Sequence, residues 1–233
     1  GGNFVLEIIS VPGVKLSEDN FILDKGESKT VNLNFDAKGI KPGVYVGNLA
    51  VTGTDEKKNV PLIFEVESED LLFDANLDIP PVYTEVKQGE KLVAQVKVFD
   101  LTSGGGTQDG FGAVSVDLEY TVFDLGGNVL SSESKSVVVE NRAQDQISIN
   151  FPEDIEEGDY VVSVLVKYMS SVGVSSQMFS IAKAEEKSSG SWDFLGDKFL
   201  IILGFILFLF FGMVGLFIYF IKDRDKLILE LRK

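Results

Sequence analysis

Apolar and polar residues alternate with a period of two along most of the first 182 positions, the signature of half-buried strands. In "AVSVDLEYTVFD", Val114, Val116, Leu118, Tyr120 and Val122 fall on one face and Ser115, Asp117, Glu119 and Thr121 on the other. That pattern predicts an antiparallel strand with one buried and one wet face. "KLVAQVKVFD" places Leu92, Ala94, Val96 and Val98 together. "YVVSVLVKY" does the same for Tyr160, Val162, Val164, Val166 and Tyr168, with Lys167 facing out. With 71–79, 129–140, 146–151 and 174–181 these make seven strands between residues 71 and 182, the number expected of an immunoglobulin-type sandwich. Residues 1–68 carry about six more and are short for a complete sandwich, which favours truncation at the N-terminal side and a longer parent. Pro80 and Pro81 follow the first strand of the second unit, which places that strand at a sheet edge.

One phrase recurs. "VNLNFDAKGIKPGVYV" (31–46) and "ISINFPEDIEEGDYVV" (147–162) share a strand ending Asn-Phe, a loop with one isoleucine, Gly-x-Tyr and a second strand. Gly43 with Tyr45 and Gly158 with Tyr160 read as two tyrosine corners, each hydroxyl bonding back to upstream backbone. The repeat predicts two sandwiches in tandem, 1–68 and 71–182. The linker "ESED" (67–70) has little slack and predicts a restricted angle between them.

The pattern changes at residues 199–221, "FLIILGFILFLFFGMVGLFIYFI", which hold no charge. As a helix, this run spans roughly 34 Å, enough for a ~30 Å hydrocarbon core. Trp192 and Tyr219 read as interfacial anchors, and Lys222 and Arg224 as the cytoplasmic flank. The prediction is one C-terminal transmembrane helix with the N-terminus outside, preceded by a polar stalk (183–198) and followed by a short basic tail (222–233). The tail holds Lys222, Arg224, Lys226, Arg232 and Lys233 against Asp223, Asp225 and Glu230, so the strong acidity lies ahead of it. Gly204, Gly212 and Gly215 share a helix face and suit close packing, including a homo-oligomer through this helix.

Composition then narrows the chemistry. The chain has 233 residues, a net charge of −15, no cysteine and no histidine. Disulfides, Cys/His zinc sites and His-dependent triads are excluded, and so acidic a surface argues against nucleic acid. No Asn-x-Ser/Thr sequon occurs. "SGGGTQDGFG" (103–112) lacks the Gly-Lys-Ser/Thr ending of a phosphate loop. It reads as an interstrand loop and, through Gly104, Gly105, Gly106, Asp109 and Phe111, as the candidate binding loop. "PEDIEEGDY" (152–160) offers carboxylates for calcium but no Asp-x-Asp-x-Asp-Gly pattern, and Asp74, Asp100 and Asp109 offer less. No cofactor, metal or catalytic residue is expected.

The sequence resembles membrane-anchored tandem Ig-like surface proteins of archaea. The order "PGVYVGNLAVTG", "VPLIFEVES", "LLFDANLDIPPVY", "GEKLVAQVKVFDL", "VSVDLEYTVFDLGGNVL" and "EEGDYVVSVLVKY" carries the likeness. It implies an all-β chain of two Ig-like or fibronectin-III-like sandwiches on the outer face of a cell membrane. The expected role is a non-catalytic surface stalk, adhesion or envelope component, with the lipid bilayer and other membrane or envelope proteins as partners. The alternative is an accessory subunit of a membrane complex, such as export or surface-assembly machinery, that packs through the helix. A carbohydrate-binding module lacks support, because Trp192 is the only tryptophan.

Overall fold

The computed structural model describes residues 1–54, 56–102, 112–184 and 202–214, and the chain divides into two compact units, Gly1–Ala184 and Glu185–Lys233. The first unit is all-β. Its first half contains β1 (Gly2–Ile9), β2 (Val14–Leu16), β3 (Asn20–Leu23), β4 (Leu33–Phe35), β5 (Gly43–Thr52) and β6 (Lys57–Val66). A four-stranded sheet, β3-β1-β5-β6, faces a two-stranded one, β2-β4. The second half contains β7 (Phe73–Asp78), β8 (Glu85–Lys87), β9 (Lys91–Asp100), β10 (Val114–Asp124), β11 (Val129–Val139), β12 (Arg142–Asn150), β13 (Gly158–Tyr168) and β14 (Ser171–Ala182). Its sheets are β11-β10-β13-β14-β8 and β12-β9-β7. Among the described residues, no strand of one half pairs with a strand of the other.

Among the described residues the second half holds eight strands, where seven are expected. The extra one, β8, has three residues and runs parallel to β14 from Ser180 to Ala182. Three residues are too few to show a period of two. β7 is an edge strand, and Pro80 and Pro81 lead from it into a 3-10 turn at Pro81–Tyr83, where their missing N–H groups cost nothing.

Alternation builds the second core. Leu92, Ala94, Val96 and Val98 from β9 meet Val116, Leu118 and Val122 from β10 and Val162, Val164 and Val166 from β13. Phe179 stacks on both Phe151 and Tyr160, at centroid distances of 5.6 and 5.8 Å. In the first half, Phe35 of β4 stacks on Phe64 of β6 at 4.4 Å. That contact fixes the inward face of the four-stranded sheet, because Tyr45, Gly47 and Leu49 pair across with Phe64, Leu62 and Val60. Val44, Val46, Asn48 and Ala50 therefore point the other way.

That outward face is not wet, and part of the outer face of the five-stranded sheet, at β13 and β14, is covered as well. Val161 and Ser163 of β13 are completely buried, although the inner face of that strand is carried by Val162 and Val164. Their outer-face neighbours Thr121 and Val174 are buried too. The first half covers them: β5 and β6 lie against β13 and β14. Asn48 Nδ2 donates to the Leu125 carbonyl at 2.5 Å, and Ser176 Oγ donates to Glu65 at 2.6 Å. On β10 the wet face stands at Ser115 and Asp117, which are exposed, and Glu119, which is half-buried, and is covered at Thr121. On β13 the expectation of one wet face is corrected. "VVSVLV" is apolar almost without a break because β13 is buried on both sides, as central strands of layered folds are.

The linker joins the same contact. Ser68 N–H donates to the Val172 carbonyl at 3.0 Å, and Ser68 Oγ accepts from Val172 N–H at 2.8 Å. The β10–β11 turn seats Gly127 at φ +85°, where an added Cβ would lie 2.5 Å from the Val46 carbonyl oxygen. The two sandwiches thus stack face to face.

In the second unit, residues 202–214 are α-helical, here α1. Among the described residues no helix is long and apolar enough to cross a membrane. α1 rises about 20 Å. The remainder of the predicted span, 199–201 and 215–221, lies outside the described residues, as do nearly all of the stalk and the whole tail.

A charge placed between the stacked sheets tests this arrangement. Val161→Asp is expected to lower unfolding stability by about 3 kcal/mol or more, as for an unpaired buried charge. Urea denaturation measures it. A true solvent-facing position would move by under about 0.5 kcal/mol.

Candidate interaction surface

The two predicted tyrosine corners lie at the starts of β5 and β13. Tyr45 Oη donates to the Lys41 carbonyl at 2.7 Å and Tyr160 Oη to the Glu156 carbonyl at 2.6 Å, each four residues upstream. Burial, then the nearby Glu156 and Asp124, raises the Tyr160 pKa above the usual phenol value. Gly43 and Gly158 precede them with φ of 157° and 151°, and a Cβ at either would meet nothing within 4 Å. These four residues hold loops in place and do not converge on a ligand.

The other candidates are scattered. Gly104, Gly105, Gly106, Asp109 and Phe111 lie outside the described residues, as do Trp192, Gly215, Tyr219, Lys222 and Arg224. At the root of the glycine-rich loop, Asp100 is buried and accepts from Thr102 N–H at 2.8 Å and Thr102 Oγ1 at 2.6 Å. Gly204 and Gly212 lie in α1 with open space where a Cβ would stand. The acidic run 152–160 disperses: Asp159 accepts from Ser180 Oγ at 2.6 Å, while the Glu156 backbone serves the tyrosine corner. Asp74 turns onto its neighbour's amide, Ala75 N–H, at 2.7 Å. Among the described residues, no group of three or more acidic side chains converges on a metal position.

Two concave features of the second sandwich stand out among the described residues. A cleft of about 430 Å³ lies between the 3-10 turn, β8 and the start of β9, with Tyr83, Glu85, Glu90, Lys91 and Asn150 on its walls. A smaller one, about 170 Å³, lies along the seam between β11 and β12. At this seam Tyr120 Oη donates to Asp145 Oδ2 at 2.8 Å, and Lys135 forms an ion pair with the same oxygen. Lys135 Nζ also donates to the Gln146 carbonyl at 3.3 Å and sits 5.6 Å from the centre of the Tyr120 ring. The three residues tie the two sheets together at their open side. Burial, then the hydrogen bond to Asp145 and its negative charge, pushes the Tyr120 phenol well above its usual pKa.

Sequence reading missed this network. Tyr120 is visible in the strand pattern as a core residue, but nothing in the spacing marks Lys135 and Asp145, which come from strands of different sheets. A lysine on the inward parity of β11 opposite Leu118 is the one signal available.

Comparison with known proteins gives only distant structural likenesses. No protein-family model and no curated protein matches the chain. Among solved structures, the chain is similar to the CARDB domain of a Pyrococcus furiosus protein, solved in complex with di-metal ions. Identity is 14% and the TM-score 0.32, over 52% of this chain and 98% of that one. It is also similar to the C-terminal domain of wzt, at 13% identity and TM-score 0.35, over 54% of this chain and 87% of that one. A Listeria innocua beta-glucosidase matches at 12% and 0.33 over 52% of this chain but only 17% of the enzyme. Identities this low carry nothing about what those proteins bind or cut.

The raised phenol has a consequence with a definite sign. Below pH about 10 Tyr120 is neutral in both the folded and unfolded chain. Above it the unfolded chain releases a proton that the fold retains, so stability falls as pH rises, by up to about 1.4 kcal/mol per pH unit. Equilibrium denaturation between pH 8 and 11.5 is expected to show a shallower alkaline loss in Tyr120→Phe than in the native chain.

Proposed function

We propose that this all-β chain is a non-catalytic, single-pass membrane protein that presents two extracytoplasmic sandwiches as a surface stalk, adhesion or envelope component. The observation that carries the reading is α1. Its apolar side chains are uniformly exposed, with Phe208, Phe211 and Met213 at 75%, 67% and 73%. The sandwiches, by contrast, bury Leu92, Leu118 and Val164 completely. A helix apolar on every side asks for lipid or for other helices. It belongs to the uncharged run 199–221, whose basic flank at Lys222 and Arg224 orients it with the C-terminus in the cytoplasm. The non-catalytic part of the reading is supported by a sequence free of cysteine and histidine. The bilayer and neighbouring envelope proteins are its partners in this account.

A second reading, an accessory subunit of a membrane complex, is favoured by Gly204 and Gly212, which leave the surface of α1 open to a close neighbour.

Alkaline carbonate washing of membranes from cells that make the full chain is the test, followed by protease treatment of intact cells. The chain is expected to stay in the pellet, with residues 1–184 lost to external protease. Release by carbonate would end the anchoring proposal, and sandwiches protected in intact cells would reverse the orientation. Exchanging 199–221 for an unrelated apolar helix separates the two roles, since only the accessory-subunit reading predicts lost partner recovery.

A further inference from the structure

The two sides of the second sandwich are finished differently. On one side β7 lies against β14, and side chains of β14 meet amides of β7 and of the residues flanking it. Leu72 N–H donates to Ser171 Oγ at 2.9 Å, Leu77 N–H to Ser175 Oγ at 3.1 Å and Ile79 N–H to Gln177 Oε1 at 2.8 Å. On the other side, the five-stranded sheet ends in β11, eleven residues long. Among the described residues, β11 pairs with β10 alone. The seam cleft runs beside this bare edge, past Glu133, Ser134 and Lys135. Val129, Leu130 and Val138 on the same strand are 58%, 46% and 64% exposed. Proteins normally blunt a long free edge, because its unpaired amides and carbonyls invite another strand.

The sequence of β11, VLSSESKSVVV, indicates which strand fits. Run antiparallel to itself with Ser134 opposite Ser134, it is self-complementary. Glu133 then meets Lys135, Ser132 meets Ser136 and Ser131 meets Val137, up to the bulge at Leu130 where the regular register ends. Residues of equal parity are matched, so the inward face meets the inward face. Sliding one strand by two residues places Lys135 opposite Lys135, or Glu133 opposite Glu133, and like charges directly opposite destabilise a pair. One register is thereby selected. Glu133 is exposed and has no partner in its own chain among the described residues, while Lys135 reaches this rim already paired to Asp145.

We propose that the free edge of β11 is a homotypic docking site. Two copies of the chain pair β11 to β11 around a two-fold axis through Ser134, and their five-stranded sheets join into one. The contact is isologous, as closed dimers require, and uses strand addition at an exposed edge. Each Glu133 completes the charge of Lys135 in the other copy.

The chain has no cysteine, so introduced thiols report without background. The experiment uses the full chain in mild detergent and compares Ser134→Cys with Ser132→Cys, both at exposed serines. In the selected register the two Cα atoms at position 134 lie about 5 Å apart, within the span of a disulfide. The two at position 132 lie roughly 13 Å apart, beyond it. Mild oxidation is expected to link Ser134→Cys at least about tenfold more than Ser132→Cys, the separation exceeding disulfide reach. Lys135→Glu is expected to convert dimer to monomer in sizing, and Glu133→Lys with Lys135→Glu to restore it. A monomer at every concentration overturns the proposal. So do equal linking at both positions and a dimer indifferent to Lys135→Glu, which would come from another surface.

Discussion

The packing of one sheet's outer face on another is the constraint that organises this protein. Val46 and Asn48 on one side, and Val161, Ser163 and Val174 on the other, are removed from water by a contact between two sandwiches. The buried serine is satisfied at short range: Ser163 Oγ donates to the Thr121 carbonyl at 3.3 Å. Small side chains let the sheets approach closely, and Gly127 lets the β10–β11 turn come against the Val46 backbone. Asn48 is held through its amide nitrogen, leaving its oxygen buried without a partner, a cost of about 1–3 kcal/mol that the surrounding apolar burial offsets.

This contact has consequences for the surfaces that remain. The first sandwich covers the outer face at β13 and β14, while that of β11 and the start of β10 stays exposed. The β7 side is sealed by Ser171, Ser175 and Gln177. The β11 side is closed only in part, by Tyr120, Asp145 and Lys135. The stack therefore does two things at once. It orients the sandwiches through a linker bonded to Val172, and it leaves β11 as a long edge of the five-stranded sheet.

Much of the fold is legible in the sequence because period-two alternation is a local property. Val114 to Val122 and Leu92 to Val98 declare their inward faces without reference to anything distant. The repeat around Tyr45 and Tyr160 is also legible, since a glycine, a turn and a tyrosine lie within one short window. Other features depend on partners far along the chain. β8 is three residues long and exists because β14 lies beside it. The outer faces of β10 and β13 carry Thr121 and Ser163, which read as solvent-facing until another sheet covers them. The apolar run from Val161 to Val166, interrupted only by Ser163, is the one available sign of burial on both sides. The seam residues Lys135 and Asp145 meet across two sheets, a placement that no spacing rule encodes.

The face-to-face stack is most directly tested by the accessibility of Ser163. This residue is fully buried in the stack, yet its position on β13 would be open to water if the sandwiches stood apart. In the cysteine-free chain, Ser163→Cys supplies one thiol at the centre of the contact. The measurement is its labelling rate in the native full chain against the rate in denaturant. The account predicts protection that is lost only on unfolding or separation of the sandwiches. Labelling as fast as that of an exposed thiol would contradict it.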